Sequence, residues 1–531
     1  MLGISAVALC AFLTRSFNEA YYMYAFFIPS AIVSFIGAVF LDIRYGLIKR
    51  IKEEFSLIIL FVAFVYTIIT ILNIFPNSAL ENELHRNTMG ETRIGYREIC
   101  AVFGSVFMFV AYYNLATIAK GWIINAWKAI TRADKAVLFA YPLVIGVAFI
   151  IMLSFTTMFL SLDRFADVIF SADTGKTRLL VVFTPMGDID YRSPFAFLTI
   201  LPFIVPARII SYLFFFIPHS FEIGYVVMQA FVFFLCALML AKMLKLEGPV
   251  KFAFVFLFLV SFVQFIFVFV IERFIFGTFW IILALFLIVQ KKSAQQALMS
   301  VAAGIYATSI LYAPFASNVW SEKFEKFKTS GFSLRFAKDM IVIVFMGLFL
   351  LSVSGQMNFV VTHNDAFDWF GGAWSQKLIF YTHMLADYFV APSWRVEPDV
   401  YAIIALTVQT TVNYFGIAVF TLAIASFVFC RKDKFAQICL CGVGISTVLF
   451  PLLGLGVGQN EMIIYALHFN WPFIALIFMG ANKFFMYLDS RNPGKGIGYI
   501  FPVTAILSGI VLLVNNTIEV VRIVEWGVNN W

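Results

Sequence analysis

The sequence predicts an all-α polytopic membrane protein, a bundle of about 13 transmembrane helices with added re-entrant or juxtamembrane helices. Three observations carry this. Of 531 residues, 62% are hydrophobic and 13% are charged, whereas soluble proteins carry about 25% charged residues. Apolar stretches long enough to cross a hydrocarbon core roughly 30 Å thick recur from end to end. These stretches are continuous, as at 56–75 and 136–160, and do not alternate as barrel strands do. Backbone polar groups in lipid must then be satisfied within helices.

The first fourteen residues lack a basic leading region and a small-residue cleavage site, so they read as a short first helix. The expected spans are 1–16, 20–42, 56–76, 99–119, 136–160, 222–244, 251–271, 274–290, 338–356, 401–429, 436–456, 461–482 and 497–518. Basic clusters orient helices during insertion. Placing the clusters at 44–52, 120–135, 242–251, 291–292, 323–338, 431–434 and 483–495 inside puts 24 basic and 10 acidic residues in the cytoplasm. The other face then holds 13 basic and 20 acidic residues. Two apolar segments must return without crossing: 195–217, broken by Pro202, Pro206 and Arg208, and 294–319, with Gly304 and Pro314. Long outer segments are expected at 77–98, 161–221 and 357–400, and His85, His219, His363, His383 and His468 all fall outside or at that edge.

Chemistry-bearing residues concentrate on that face. The loop after the fifth span holds Asp163, Asp167, Asp173, Asp188 and Asp190 beside Arg164, Lys176, Arg178 and Arg192. A mobile solvated loop also accounts for scattered charges. The Pro-broken apolar segment behind this loop, however, holds the charges at headgroup depth. A carboxylate there suits general-base work on an acceptor hydroxyl, and guanidinium groups suit bidentate neutralisation of a phosphate. Glu272 interrupts an apolar run beside Arg273, as a functional carboxylate or as a tight-turn ion pair. Glu461, Tyr465 and His468 share one helical face, as a water-filled cavity or as an interfacial aromatic belt. His363 and Asp365 supply too few ligands for a cation site, so a divalent cofactor is not indicated and cofactor use stays unknown. The polar loop 357–400, with His383 and Asp387, reads as structural.

The order of features resembles the GT-C superfamily of polytopic glycosyltransferases, which use polyprenyl-phosphate sugars, and bacterial GT-C-like membrane proteins of unassigned function. The resemblance rests on span 136–160, the acidic loop, Ser171-Ala172-Asp173-Thr174, Tyr191-Arg192 followed by Pro194, and span 222–244 ending in Lys242 and Lys245. Ser193 stands where the related pattern has histidine. The resemblance covers roughly residues 136–482. It implies Asp173 as catalytic carboxylate, with Asp163 the alternative, and Arg192, Arg178 and Lys176 against the donor phosphate. Tyr191, Asp190, Glu272, Glu461, Tyr465 and His468 are the further site candidates. The expected organisation is an N-terminal four-helix extension at 1–122, a GT-C-like core at 123–482 and a C-terminal helix and outer tail at 483–531.

The implied function is transfer of a sugar from a lipid-linked donor to an envelope glycan, lipid or protein acceptor, on the periplasmic face of a bacterial inner membrane. A flippase for a lipid-linked glycan and a polysaccharide polymerase are the alternatives. No P-loop, GxGxxG, HExxH or GxSxG motif occurs, which removes support for NTP-driven transport and common hydrolases. The basic clusters are explained by membrane orientation, so no nucleic-acid partner is expected; membrane lipids are.

Overall fold

The computed structural model describes residues 130–155, scattered positions from 203 to 217, 220–289 apart from 273, 316, 372–397, 402–405, 411–456, 462–492 and 496–530. Among these the chain is helical apart from one two-stranded ribbon. The expected spans at 1–119 and 338–356, and the returning segment 294–319 save Ala316, lie outside the described residues.

The elements are α1 (Arg132–Phe155), α2 (Ser220–Met243), α3 (Gly248–Val260), α4 (Phe262–Phe269), α5 (Phe274–Val289), α6 (Trp374–Asp387), β1 (Trp394–Glu397), β2 (Ala402–Ala405), α7 (Tyr414–Cys430), α8 (Lys434–Thr447), α9 (Met462–Phe469), α10 (Trp471–Arg491) and α11 (Ile500–Asn530). Among the described residues, five helical stretches are long and apolar enough to cross a membrane: Arg132–Ile151, Glu222–Met243, Lys434–Leu452, Trp471–Arg491 and Ile497–Ile523. The outward faces of α1 (Phe139, Leu143, Val147) and α11 (Val503, Leu507, Val511) are bare hydrocarbon. Such faces are stable against acyl chains and a liability in water. The chain is a helical membrane protein.

The bundle has two unlike ends. At one, Lys251 at the start of α3 pairs with Asp134 at the start of α1, 2.6 Å apart. Lys483 of α10 donates to the Phe429 carbonyl of α7 at 2.7 Å, beside the Arg431–Lys434 turn. Helices α7 and α10 run parallel: Phe420 meets Phe473, Ser426 meets Gly480 and Phe429 meets Phe484. Phe254, Phe478 and Phe501 interlock, which brings α3, α10 and α11 into one layer above this basic end. Buried polar side chains gather toward the opposite end.

Several expected spans are shorter or broken. The run 251–271 is two helices, α3 and α4, bent by 58° at Ser261. Neither proline nor glycine causes the break; tertiary hydrogen bonds hold it. The freed amides of Phe262 and Val263 donate to the carbonyls of Phe389 and Tyr388 at 3.1 and 3.3 Å. The Asn516 amide of α11 donates to Val260 and Phe389 carbonyls at 2.8 and 3.0 Å, and its oxygen accepts from the Ala391 amide at 3.1 Å. Backbone polar groups opened inside an apolar bundle need such partners.

The run 461–482 likewise breaks at Asn470, whose amide donates to the Met384 carbonyl at 2.8 Å, and α10 continues to Arg491. Within the run 401–429, residues 402–405 pair antiparallel with 394–397 and helix α7 starts at Tyr414. Asn413 sets that start, its side-chain oxygen accepting from the amides of Phe415 and Gly416. The run 436–456 leaves α-helical geometry in the wider turn Val448–Leu452, which contains Pro451, and Gly454 then takes a left-handed φ of 80°. The last helix extends well past 518, to Asn530. Inside the expected outer loop 357–400 lies α6, whose buried face includes Tyr381, Thr382, His383, Met384 and Asp387.

Candidate functional site

Three helix interruptions, at Ser261, at 270–272 and at Asn470, carry buried polar groups, and the first and third meet α6 and the turn that follows it. Gln229 of α2, fully buried, organises the second. Its amide nitrogen donates to the carbonyls of Phe267, Val268 and Val270 at 3.2, 2.9 and 3.1 Å. Those carbonyls lie at the C-terminal end of α4, where helices leave acceptors without intrahelical donors. The Gln229 oxygen accepts from the Glu272 amide at 3.1 Å. Glu272 is therefore fixed by its backbone and wholly buried inside the protein. It stands two residues before Phe274, the first residue of α5, whose N-terminal dipole favours a carboxylate.

Tyr465 and His468 converge on the same place. The His468 ring stacks on Phe274 with centroids 5.4 Å apart, and Nε2 donates to the Phe274 carbonyl at 2.8 Å. A carbonyl only accepts, so the proton sits on Nε2. Tyr465 meets Phe274 edge-on at 6.1 Å. The stripe seen in the sequence thus faces α5, and its described members are packed against aromatic rings. Gly277 makes the fit possible: a Cβ there would stand 2.6 Å from His468 Nε2. Gly277→Ala is expected to expel the imidazole from Phe274 and lower stability by about 1–3 kcal/mol, as overpacking does. The loss should show in the heating midpoint of the detergent-solubilised protein. An unchanged midpoint would refute this packing.

The third group sits on α6. His383 Nε2 donates to the Thr411 carbonyl at 3.2 Å, and Asn413 Nδ2 donates to Nδ1 at 3.4 Å. Burial pulls this imidazole below the ordinary histidine range, against the smaller opposing effect of the Thr411 bond. One turn later, burial pushes the Asp387 carboxyl well above the usual carboxylate range. Tyr388 joins α6 to α4 through a hydrogen bond from the Gln264 amide.

Of the sequence-derived site residues, the structure brings Tyr465 and His468 together on Phe274, two residues along the chain from the buried Glu272. Asp163, Asp173, Lys176, Arg178, Asp190, Tyr191, Arg192 and Glu461 lie outside the described residues. Sequence reasoning passed over Gln229, Gln264, Asn470 and Asn516, and treated His383 and Asp387 as loop. The available signal was a lone amide inside a long apolar run, which is costly in lipid unless it has a partner. Among the described residues no group of three or more His, Cys, Asp or Glu side chains is placed to hold a metal ion. Compared with protein-family models, curated proteins and solved structures, the chain matches none.

Proposed function

We propose that this chain is a membrane glycosyltransferase of GT-C type that moves a sugar from a polyprenyl-phosphate donor to a cell-envelope acceptor. In this reading about 13 helices cross a bacterial inner membrane with the basic turns in the cytoplasm, following the charge bias. The acidic loop 161–221 then meets the donor at the periplasmic face.

The observation that carries the reading is the polarity of the bundle. Glu272, His383, Asp387 and His468 are buried away from the end bearing Lys251, Arg431 and Lys483. In this mechanism Asp173 or Asp163 takes the proton from an acceptor hydroxyl, and that oxygen attacks the anomeric carbon with inversion. The bond from that carbon to the phosphate oxygen breaks, and Arg192, Arg178 and Lys176 stabilise the departing polyprenyl phosphate. Tyr191, Asp190, Glu461, Tyr465, His468 and Glu272 are the further candidates for contact with donor or acceptor in this reading.

Purified chain given a panel of polyprenyl-phosphate sugars is expected to release polyprenyl phosphate. The double variant Asp163→Asn, Asp173→Asn should lose at least about 10²-fold in rate, the low end for a general base, while still inserting into membranes. Wild-type rate in the double variant removes the mechanism. Movement of lipid-linked sugar across vesicles without bond cleavage assigns the chain instead as a flippase. Interrupted helices favour that second reading, since transporters bind substrate where helices break. Here the groups opened at Ser261 are taken up by Asn516, Tyr388 and Phe389, which leaves that break closed to a substrate.

A further inference from the structure

The start of α7 is clasped to α6 through Asn413. Its side-chain oxygen accepts from the amides of Phe415 and Gly416 at 3.0 and 3.3 Å. Nδ2 is thereby turned the other way, onto His383 Nδ1 at 3.4 Å. The backbone amide of Asn413 donates to Thr382 Oγ1 at 3.0 Å. On its far side the imidazole meets the Thr411 carbonyl through Nε2 at 3.2 Å. These partners fix the protons. A carbonyl only accepts, so Nε2 carries hydrogen, and an amide NH2 only donates, so Nδ1 must offer its lone pair. The clasp therefore requires a neutral ring. A second proton would set N–H against N–H at Asn413. Turning the Asn413 amide over gives no escape, because Nδ2 would then face two backbone donors and the cap of α7 would be lost. Among the described residues His383 makes no other hydrogen bond and no ion pair.

We propose that the His383–Asn413 contact is an acid-released clasp, a proton-sensitive switch that loosens α6 from the first turn of α7. Histidine is the side chain whose ordinary range lets it change charge between about pH 5 and 8. The ring is buried but Thr411 beside it is exposed, so water reaches the edge of the clasp. The surrounding groups do not hold a second proton on it. Helix α7, the turn 448–452 and α9 pack against α6. Their described titratable groups are Tyr414 and Cys430 on α7, and Tyr465 and His468 on α9; residues 411–413 and the turn have none. On α6 itself, Lys377 reaches the Leu452 carbonyl and Tyr381 meets Thr447 Oγ1. Asp387 stands one turn on from His383, its carboxyl pushed by burial well above the usual carboxylate range. Burial also lowers the proton affinity of His383. Because the clasped ring binds a proton less readily than a released one, falling pH favours release. The close seat of Gly416 on the Thr382 carbonyl does not involve the proton, so the helices can reclose.

The test is amide hydrogen exchange of the full-length chain in detergent at about pH 8 and about pH 5, the limits of the histidine window. Rates are corrected for the intrinsic effect of pH, and residues 413–416 are read against the interior of α10. Wild type should lose protection at 413–416 by roughly two- to tenfold at the lower pH, the equivalent of one hydrogen bond, while α10 keeps its own. His383→Gln should show no such loss, because its amide donates to Thr411 and accepts from Asn413 at either pH. Asn413→Asp should reverse the sign. One carboxylate oxygen still caps α7 and the other accepts from a protonated ring, so protection is greater at the lower pH. Should His383→Gln not fold, Asn413→Asp decides alone. A wild type without the loss, or a folded variant that matches the wild-type loss, overturns the clasp.

Discussion

Gln229→Leu is expected to cost this protein about 4 kcal/mol, on a scale of 1–3 kcal/mol for each buried polar group left without a partner. Leucine fills a similar volume, so packing changes little and the loss is electrostatic. Three carbonyls at the end of α4 lose their donor, and the Glu272 amide loses its acceptor. No water stands ready to replace them, since Gln229 is fully buried. The heating midpoint of the purified protein should fall steeply. Gln229→Glu should fall as well, because it keeps an acceptor for Glu272 but supplies no amide donor for the carbonyls. A leucine variant as stable as wild type would show that α4 does not end on this side chain.

Gly416→Ala should be nearly as damaging, at about 3 kcal/mol, the upper part of the usual range for overpacking. Gly416 lies in the first turn of α7 directly against the backbone carbonyl of Thr382. A methyl group there meets main chain rather than a movable side-chain tip, so α6 and α7 must separate. Their separation also breaks the bond from the Asn413 amide to Thr382 Oγ1, now 3.0 Å. Gly444→Ala is the matched control. Its added Cβ meets nothing within 4 Å, and alanine favours helix over glycine by up to about 1 kcal/mol. Equal stability of the two alanine variants would contradict the close α6–α7 approach.

The long apolar runs made α1, α2, α5 and α11 legible in the sequence, because lipid demands an uninterrupted hydrophobic stretch. The breaks were not legible. Ser261 sits in an unbroken apolar run, and the group that stabilises its bend, Asn516, is 256 residues from Val260 in sequence. Helix α6 was hidden for the opposite reason: its buried face carries His383, Thr382 and Asp387, which read as loop. The Tyr465 and His468 stripe was visible as spacing, yet its target, Phe274, could not be found from spacing alone. Glu272 was found because an ionisable residue stands out in an apolar run; the depth of its burial depended on Gln229.

The bend at Ser261 has a consequence for depth. Helix α3 has 13 residues and α4 has 8, set at 58°. At 1.5 Å per residue the pair advances only about 26 Å along the α3 axis, and the 16 residues of α5 return about 24 Å. A hydrocarbon slab is roughly 30 Å thick. By its helices alone, each arm of the hairpin carrying Glu272 is shorter than such a slab. The bilayer can meet so short a hairpin by thinning around it.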